Sequence, residues 1–425
     1  MNDDERTDEP QLDEAGGPEG TGPEGEAERT VGGRLLSELS GVGADWRTAL
    51  LVPALAVVTA LIISGFIIAL TDVDFWRGLG TAPGQAWSDL WHEIVDSYVA
   101  LFRGSFGGLR AISETLTASA PLILAGLAVG IGFRAGLFNI GAEGQMLMGG
   151  MFAVVAGFTF TGLPVVVHLP LVVLAGFLGG AVWGGIPGLL RAKTGAHEVI
   201  VTIMLNNIAI RLVDYLLKTD WIQVEGRDDP ISKGVEVSGR LPRLLGFLED
   251  VRPPSDIRVH AGILLAVLAA WGIYWLLFRS TIGYEFRAVG YNPHAAKYAG
   301  MNVTWLYFAV MAIAGGMAGL AGMNQVSGVL YRVTPGFSAG IGFEAISLAL
   351  LGRSHPGGIV LAGILFGALR AGGQEMQVAT DVPIDLILVV QALVVVFIAA
   401  PALIRAIYRV RTGEAAEQLT KGWAT

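Results

Sequence analysis

Apolar residues in this chain are not spaced at the 3.6-residue or 2-residue periods of amphipathic helices or half-buried strands. They run in long unbroken blocks. Blocks of 18 or more apolar residues are long enough to cross a bilayer core of about 30 Å as helices rising 1.5 Å per residue. Ten blocks stand out: 48–70, 115–133, 145–161, 166–190, 199–217, 259–278, 303–323, 339–352, 357–371 and 384–404. The first holds no charge, while 339–352 and 357–371 are short. The blocks are apolar all round, and barrel strands would alternate lipid-facing with lumen-facing residues. The pattern therefore predicts an all-α integral membrane protein with about ten transmembrane helices.

Composition agrees and excludes other classes. Of 425 residues, 53% are apolar, 15% are charged and none is cysteine, with a mean hydropathy of +0.58. Soluble domains carry about 25% charged residues. The net charge of −9 belongs to one end: residues 1–30 hold eleven acids against Arg6 and Arg29, so the remaining 395 residues balance. The sequence thus divides into an acidic, Gly/Pro/Glu-rich tail (1–47) that buries too little surface to fold, a polytopic body (48–411) and a C-terminal tail (412–425). The acidic start lacks the basic n-region of a signal peptide, so the first helix is expected to remain as an anchor. Lys and Arg are denser in the loops that lie inside if both termini are cytoplasmic. Loops 71–112, with Trp76, Trp87 and Trp91, and 218–258 would then face outward, as connectors or as receivers of an external partner. An amphipathic, surface-lying turn is expected around 86–102.

Two interruptions carry polar groups into the apolar body. FNIGAEGQ (138–145) places Phe138, Asn139, Glu143 and Gln145 between two blocks, and FSAGIGFEAIS (337–347) places Phe337 and Glu344 at the start of another. Corresponding Gly-broken segments in two halves point to inverted repeats around a transport path. The same residues read equally as helix ends capped by carboxylates. Asn206, Asn207, Arg211 and Asp214 lie within block 199–217. Polar groups there should face protein or water, and the three-residue spacing of Arg211 and Asp214 suits a local ion pair.

Reaction motifs are incomplete. GFSAG (336–340) has the spacing of a nucleophile elbow, but it sits in a membrane loop with no His identifiable as its partner. HEIVD (92–96) lacks the second His of a zinc protease, and GLLRAKT (188–194) lacks the glycine before lysine that a phosphate loop needs. No nucleotide-hydrolysis motif is present, so any energy source must be another subunit or an ion gradient. Glycine pairs such as 179–180 and 315–316 suit close helix packing.

Residues 279–302 (RSTIGYEFRAVGYNPHAAKYAGMN) read as an extended lead-in, a break at Gly290 to Pro293, and a small-residue helix from His294 to Ala299 ended by Gly300. With Tyr298 exposed, this makes a knob able to enter a cleft on a partner. RAVGYNPHAAKYAGM resembles the cytoplasmic coupling loop of ABC importer permeases of the branched-chain amino acid, ribose and nucleoside class. FRAGLFNIGAEGQ (133–145), TGAHEVIVTIMLNNIA (194–209), GFSAGIGFEAISLALLGRSHPGG (336–358) and FGALRAGG (366–373) are similar to those of nucleoside or simple-sugar uptake permeases. The resemblance covers about 48–411.

The resemblance implies a type II-like importer permease fold with inverted-repeat halves in the cell membrane. It implies a second permease subunit, two ABC ATPases that bind ATP and magnesium, and an extracytoplasmic substrate-binding lipoprotein. This chain itself would bind no cofactor, no metal and no nucleic acid. By motif, Gly290, Asn292, Pro293, Ala295, Ala296, Tyr298, Ala299 and Gly300 would couple to the ATPase. Phe138, Asn139, Glu143, Asn206, Asn207, Phe337 and Glu344 would flank the substrate path. The expected cargo is a nucleoside, with a simple sugar as the alternative within the class and a gradient-driven secondary carrier as the alternative outside it.

Overall fold

A computed structural model describes residues 46–246, 257–380 and 385–408. The acidic tail and the C-terminal tail therefore lie outside the described residues, apart from the tail's last two positions. The chain folds into helices α1 (Trp46–Thr71), α2 (Val73–Leu79), α3 (Pro83–Phe106), α4 (Leu109–Arg134), α5 (Ala142–Thr159), α6 (Val165–Thr194), α7 (Glu198–Leu216) and α8 (Gly262–Arg279). It continues through α9 (Thr281–Tyr291), α10 (Pro293–Tyr298), α11 (Val303–Gln325), a π-turn (Val326–Leu330), α12 (Ile341–Leu351), α13 (Pro356–Thr380), α14 (Asp385–Ala399) and α15 (Pro401–Tyr408). Among the described residues there is no strand, only isolated bridges pairing Gln223 with Ser232 and Arg243 with His260.

Seven helical stretches are long and apolar enough to cross a membrane: Ala54–Thr71, α4, α6, α7, α8, Val303–Leu330 and α13. Helices α5, α12 and α14, within predicted blocks, are shorter or less apolar. Three expectations are corrected. Block 357–371 is 25 residues long as α13, because Gln374, Glu375 and Gln377 continue the helix past the apolar run. Block 384–404 is divided at Pro401, which starts α15. The connector 71–112 is helical, not a loop: Asp72 caps α2 by accepting from the amides of Asp74 (2.8 Å) and Phe75 (3.0 Å), and Pro83 opens α3 at a position that needs no amide donor.

Glycine decides how the helices meet. Gly176, Gly180, Gly184 and Gly188 recur every four residues on α6 and so share one face. That face lies on Gly315 and Gly319 of α11. A Cβ on Gly180 would stand 2.1 Å from the carbonyl oxygen of Gly315, and one on Gly319 would stand 2.2 Å from that of Gly176. Helix α5 joins the same point, where a Cβ on Gly149 would lie 2.2 Å from the Cα of Gly319. Three backbones thus converge where any side chain would hold them apart. Helix α4, buried along most of its length, packs against α11, α12 and α13. A second cluster joins α1, α3, α14 and the C-terminal half of α13 through Ala60, Leu101, Met376, Ile387 and Val390.

Candidate functional site

The two polar interruptions, almost two hundred residues apart in sequence, meet in space. Gly141 precedes α5 and Gly340 precedes α12, and each helix carries a glutamate in its first turn. Glu143, 4% exposed, accepts a hydrogen bond from the Ser338 hydroxyl and another from the Gly342 amide at 2.9 Å. The α5 glutamate therefore caps α12 and satisfies a first-turn amide that the helix cannot pair itself. Gly342 is required there, since a Cβ would sit 2.4 Å from the Glu143 backbone.

Asn139 and Gln145 exchange amide hydrogen bonds at 2.9 and 3.0 Å, and Asn139 Oδ1 also accepts from the Gly141 amide at 3.0 Å. Asn206 on α7 accepts from the Gly144 amide at 2.9 Å and donates to the Ile140 carbonyl at 2.9 Å. Phe337 fills a space that a Cβ on Gly150 would occupy. Glu344 Oε1 accepts from Arg370 of α13 at 3.0 Å, and Arg370 also donates to the Ala339 carbonyl at 3.2 Å.

Of the seven residues expected to flank a path, Asn139, Glu143, Asn206, Phe337 and Glu344 thus gather around the starts of α5 and α12. All except Glu344 are fully buried, and the buried Asn and Glu side chains are bonded to their own protein. Phe138 lies at the surface against Phe133, with ring centroids 4.8 Å apart. Asn207 faces away, on the uncovered side of α7. Ser338, Gly342 and Arg370 complete the cluster. The pairing of Arg370 with Glu344 had no sequence signal, because 26 residues separate them. Ser338 donates its proton to a carboxylate that already caps a helix, so GFSAG has here the geometry of a cap.

Asn207 shares the open face of α7 with Ile200, Met204 and Ile208. Arg211, its side chain 86% exposed, pairs with Asp214 at 3.8 Å on this helix. An arginine facing lipid near the bilayer centre would cost about 2.5–3.5 kcal/mol. The Asn207 to Arg211 part of this face is therefore suited to water or to another protein surface, whereas Ile200, Met204 and Ile208 make the rest of it apolar.

The segment after α8 also differs from expectation. Its lead-in is not extended but forms α9, because Ser280 caps the helix by accepting from the Gly283 amide at 3.0 Å. Asn292 then caps α10, accepting from the Ala295 amide at 3.0 Å, Pro293 opens the helix, and Gly300 follows at φ +86°. Asn292, Pro293, Ala295, Tyr298, Ala299 and Gly300 are exposed, with Tyr298 at 93%. Ala296 is buried in the core instead. Gly290 packs on the end of α4, where a Cβ would lie 2.5 Å from the Arg134 carbonyl oxygen.

Seven helices long and apolar enough to span a membrane, polar side chains gathered at the starts of α5 and α12, and an exposed short helix α10 define a multi-pass membrane protein. The chain belongs to the family of permease components of branched-chain amino acid transport systems, which it matches over residues 111–399. Among its relatives, it is 40% identical over 74% of its length to a guanosine ABC transporter permease of Bacillus subtilis, covering 88% of that protein. It is 36% identical to a glucose ABC transporter permease of Haloferax volcanii, over 81% of this chain and 86% of the relative. It is 32% identical to a nucleoside ABC transporter permease of Lactococcus lactis, over 74% and 85%. No solved structure matches. The protein is a multi-pass membrane permease.

Proposed function

We propose that this chain is the membrane subunit of an ATP-driven importer of nucleosides in the cell membrane, with both termini cytoplasmic. The observation that carries the cargo is its similarity, over about three quarters of its length, to permeases named for guanosine and for nucleosides. The glucose permease relative supports a second reading, a simple-sugar importer. Competition of labelled nucleoside uptake by unlabelled nucleosides and by hexoses, in the importer assembled with its binding protein, separates the two. Displacement by hexose alone would overturn the nucleoside assignment.

The proposed assembly includes a second permease, two ATPases holding ATP and magnesium, and an external binding lipoprotein. The Asn207 and Arg211 face of α7 supports a contact with the second permease or the water-filled path between the two. The ten predicted blocks and the two glutamate-bearing helix starts support a ten-span fold with inverted-repeat halves. In this reading α10 docks on an ATPase through Tyr298, Ala295 and Ala299, while Ala296 and Gly290 hold the knob to the body. Ala295→Glu and Tyr298→Ala are each expected to release the ATPase from the purified permease without unfolding it. Co-purification at the original ratio would remove α10 as the dock. Asn292→Ala is expected to loosen α10 by about 1 kcal/mol.

The energy source gives a further expectation. Purified alone in liposomes under a proton or sodium gradient, the chain should show no net substrate uptake, and gradient-driven accumulation would favour a secondary carrier. Deleting residues 1–30 should leave uptake unchanged at equal expression, and lost uptake would give the tail a role.

A further inference from the structure

Helix α12 is flanked by unusual backbone at both ends. Among the described residues, four non-glycine residues have positive φ: Tyr331, Ala339, Arg353 and Ser354. Three of them border this 11-residue helix, with Ala339 (φ +48°) before it and Arg353 and Ser354 (both +51°) directly after. The left-handed region is unfavourable for any residue with a Cβ, and two such residues in succession need an outside hold.

Each end has one, and each is an arginine from a neighbouring helix bound to the left-handed carbonyls. Arg370 donates to Ala339 at 3.2 Å. Arg134, the last residue of α4, donates from Nε to the Ser354 carbonyl at 3.0 Å and from Nη2 to the Arg353 carbonyl at 3.2 Å. A planar guanidinium offers two donors in a fixed fork, which suits two successive carbonyls.

Arg134 also touches the segment that ends in the knob. Its guanidinium lies 5.5 Å from the Phe278 ring at the end of α8, and Arg287 of α9 lies 5.4 Å from the same ring. The His355 ring, next to Ser354, is 5.5 Å from Phe278. Gly290 of α9 rests on the backbone of Arg134 to Gly136 with no room for a side chain. A displacement of α9 and α10 must therefore move the end of α4 or the Phe278 ring, and Arg134 is bonded to the strained turn from there.

We infer that Arg134 is a positioning residue for transport: it holds the turn at 352–355 in its left-handed form, and movement of α9 and α10 changes that hold and so shifts α12 with Glu344. The inference rests on the reading of α10 as the ATPase dock. It places the moving element in the short helix between two arginine-held turns.

The test uses the assembled importer and reads substrate imported per ATP hydrolysed. Arg134→Ala should lower that ratio by roughly 2- to 30-fold, the range for residues along a coupling route. Arg134→Lys, which lacks the fork, should also lower it. Glycine at both strained positions (Arg353→Gly with Ser354→Gly) removes the Cβ penalty and should restore the thermal midpoint in the Arg134→Ala background but not the ratio, because the link from α9 to the turn is still missing. A ratio unchanged in Arg134→Ala, including uptake and hydrolysis falling in proportion, overturns the inference. So does a lowered ratio that the glycine pair restores, since a static hold of the turn would then suffice. The underlying reading is checked separately: the chain has no cysteine, so Tyr298→Cys supplies a single thiol for cross-linking to the ATPase. Failure of that cross-link removes the docking assignment, whatever the ratio shows.

Discussion

Gly180→Leu is expected to abolish recovery of folded permease, the largest effect of any single substitution considered. The obstacle is backbone on both counts, since a Cβ at 180 would lie 2.1 Å from the Gly315 carbonyl oxygen and 2.6 Å from the Gly319 Cα. Overpacking a core costs about 1–3 kcal/mol where side chains can yield, and more where they cannot. Here α6 must separate from α11, which also opens the contact of α11 with α5 at Gly149. Even Gly180→Ala adds the offending atom and should lower the thermal midpoint in detergent. Gly272 on α8 is the control, because a Cβ there meets nothing within 4 Å and Gly272→Leu should behave as wild type. A monodisperse, normally expressed Gly180→Leu protein on size exclusion would show that the close crossing is not needed.

Glu143→Leu is expected to destabilise the protein strongly, while Glu143→Gln is not. Leucine strands the Ser338 hydroxyl and the Gly342 amide in a buried site, and each orphaned donor costs about 1–3 kcal/mol. Glutamine can keep both partners: its carbonyl accepts from Gly342, and its amide donates to a Ser338 hydroxyl that rotates to receive it. Thermal unfolding of the three proteins checks this directly, and equal losses for Leu and Gln would mean that the carboxylate charge, not the hydrogen bonding, holds the two helix starts together. Uptake adds a second reading. A stable Glu143→Gln protein that fails to transport would give the charge a part in the path beyond capping.

Blocks of apolar residues located the seven span-length helices but not α3, because span length follows from bilayer thickness while α3 is amphipathic. Glycine enrichment signalled close packing without saying which helices pack. The four-residue spacing from Gly176 to Gly188 puts one stripe on α6, yet its partner on α11 lies more than a hundred residues away. In the sequence, Glu143 and Glu344 mark two similar helix starts, and both capping and path-lining fit them. Only their juxtaposition showed that Glu143 caps the other helix. Ala296 shows the same limit at short range: its neighbours Ala295 and Tyr298 are exposed on a six-residue helix, and side-chain type alone does not tell the buried alanine from the outward ones.

By itself the sequence determined the membrane class, the sites of most span-length helices, the isolation of charge in the first thirty residues, and the stop at Gly300 after α10, because these depend on composition and on interactions a few residues long. Tertiary structure alone decided that α5 and α12 share a capping carboxylate, that Arg134 and Arg370 hold the left-handed turns around α12, and that Asn207 turns away from the cluster. Those outcomes depend on which distant backbones approach closely enough to bond, a matter of three-dimensional packing that no local spacing encodes.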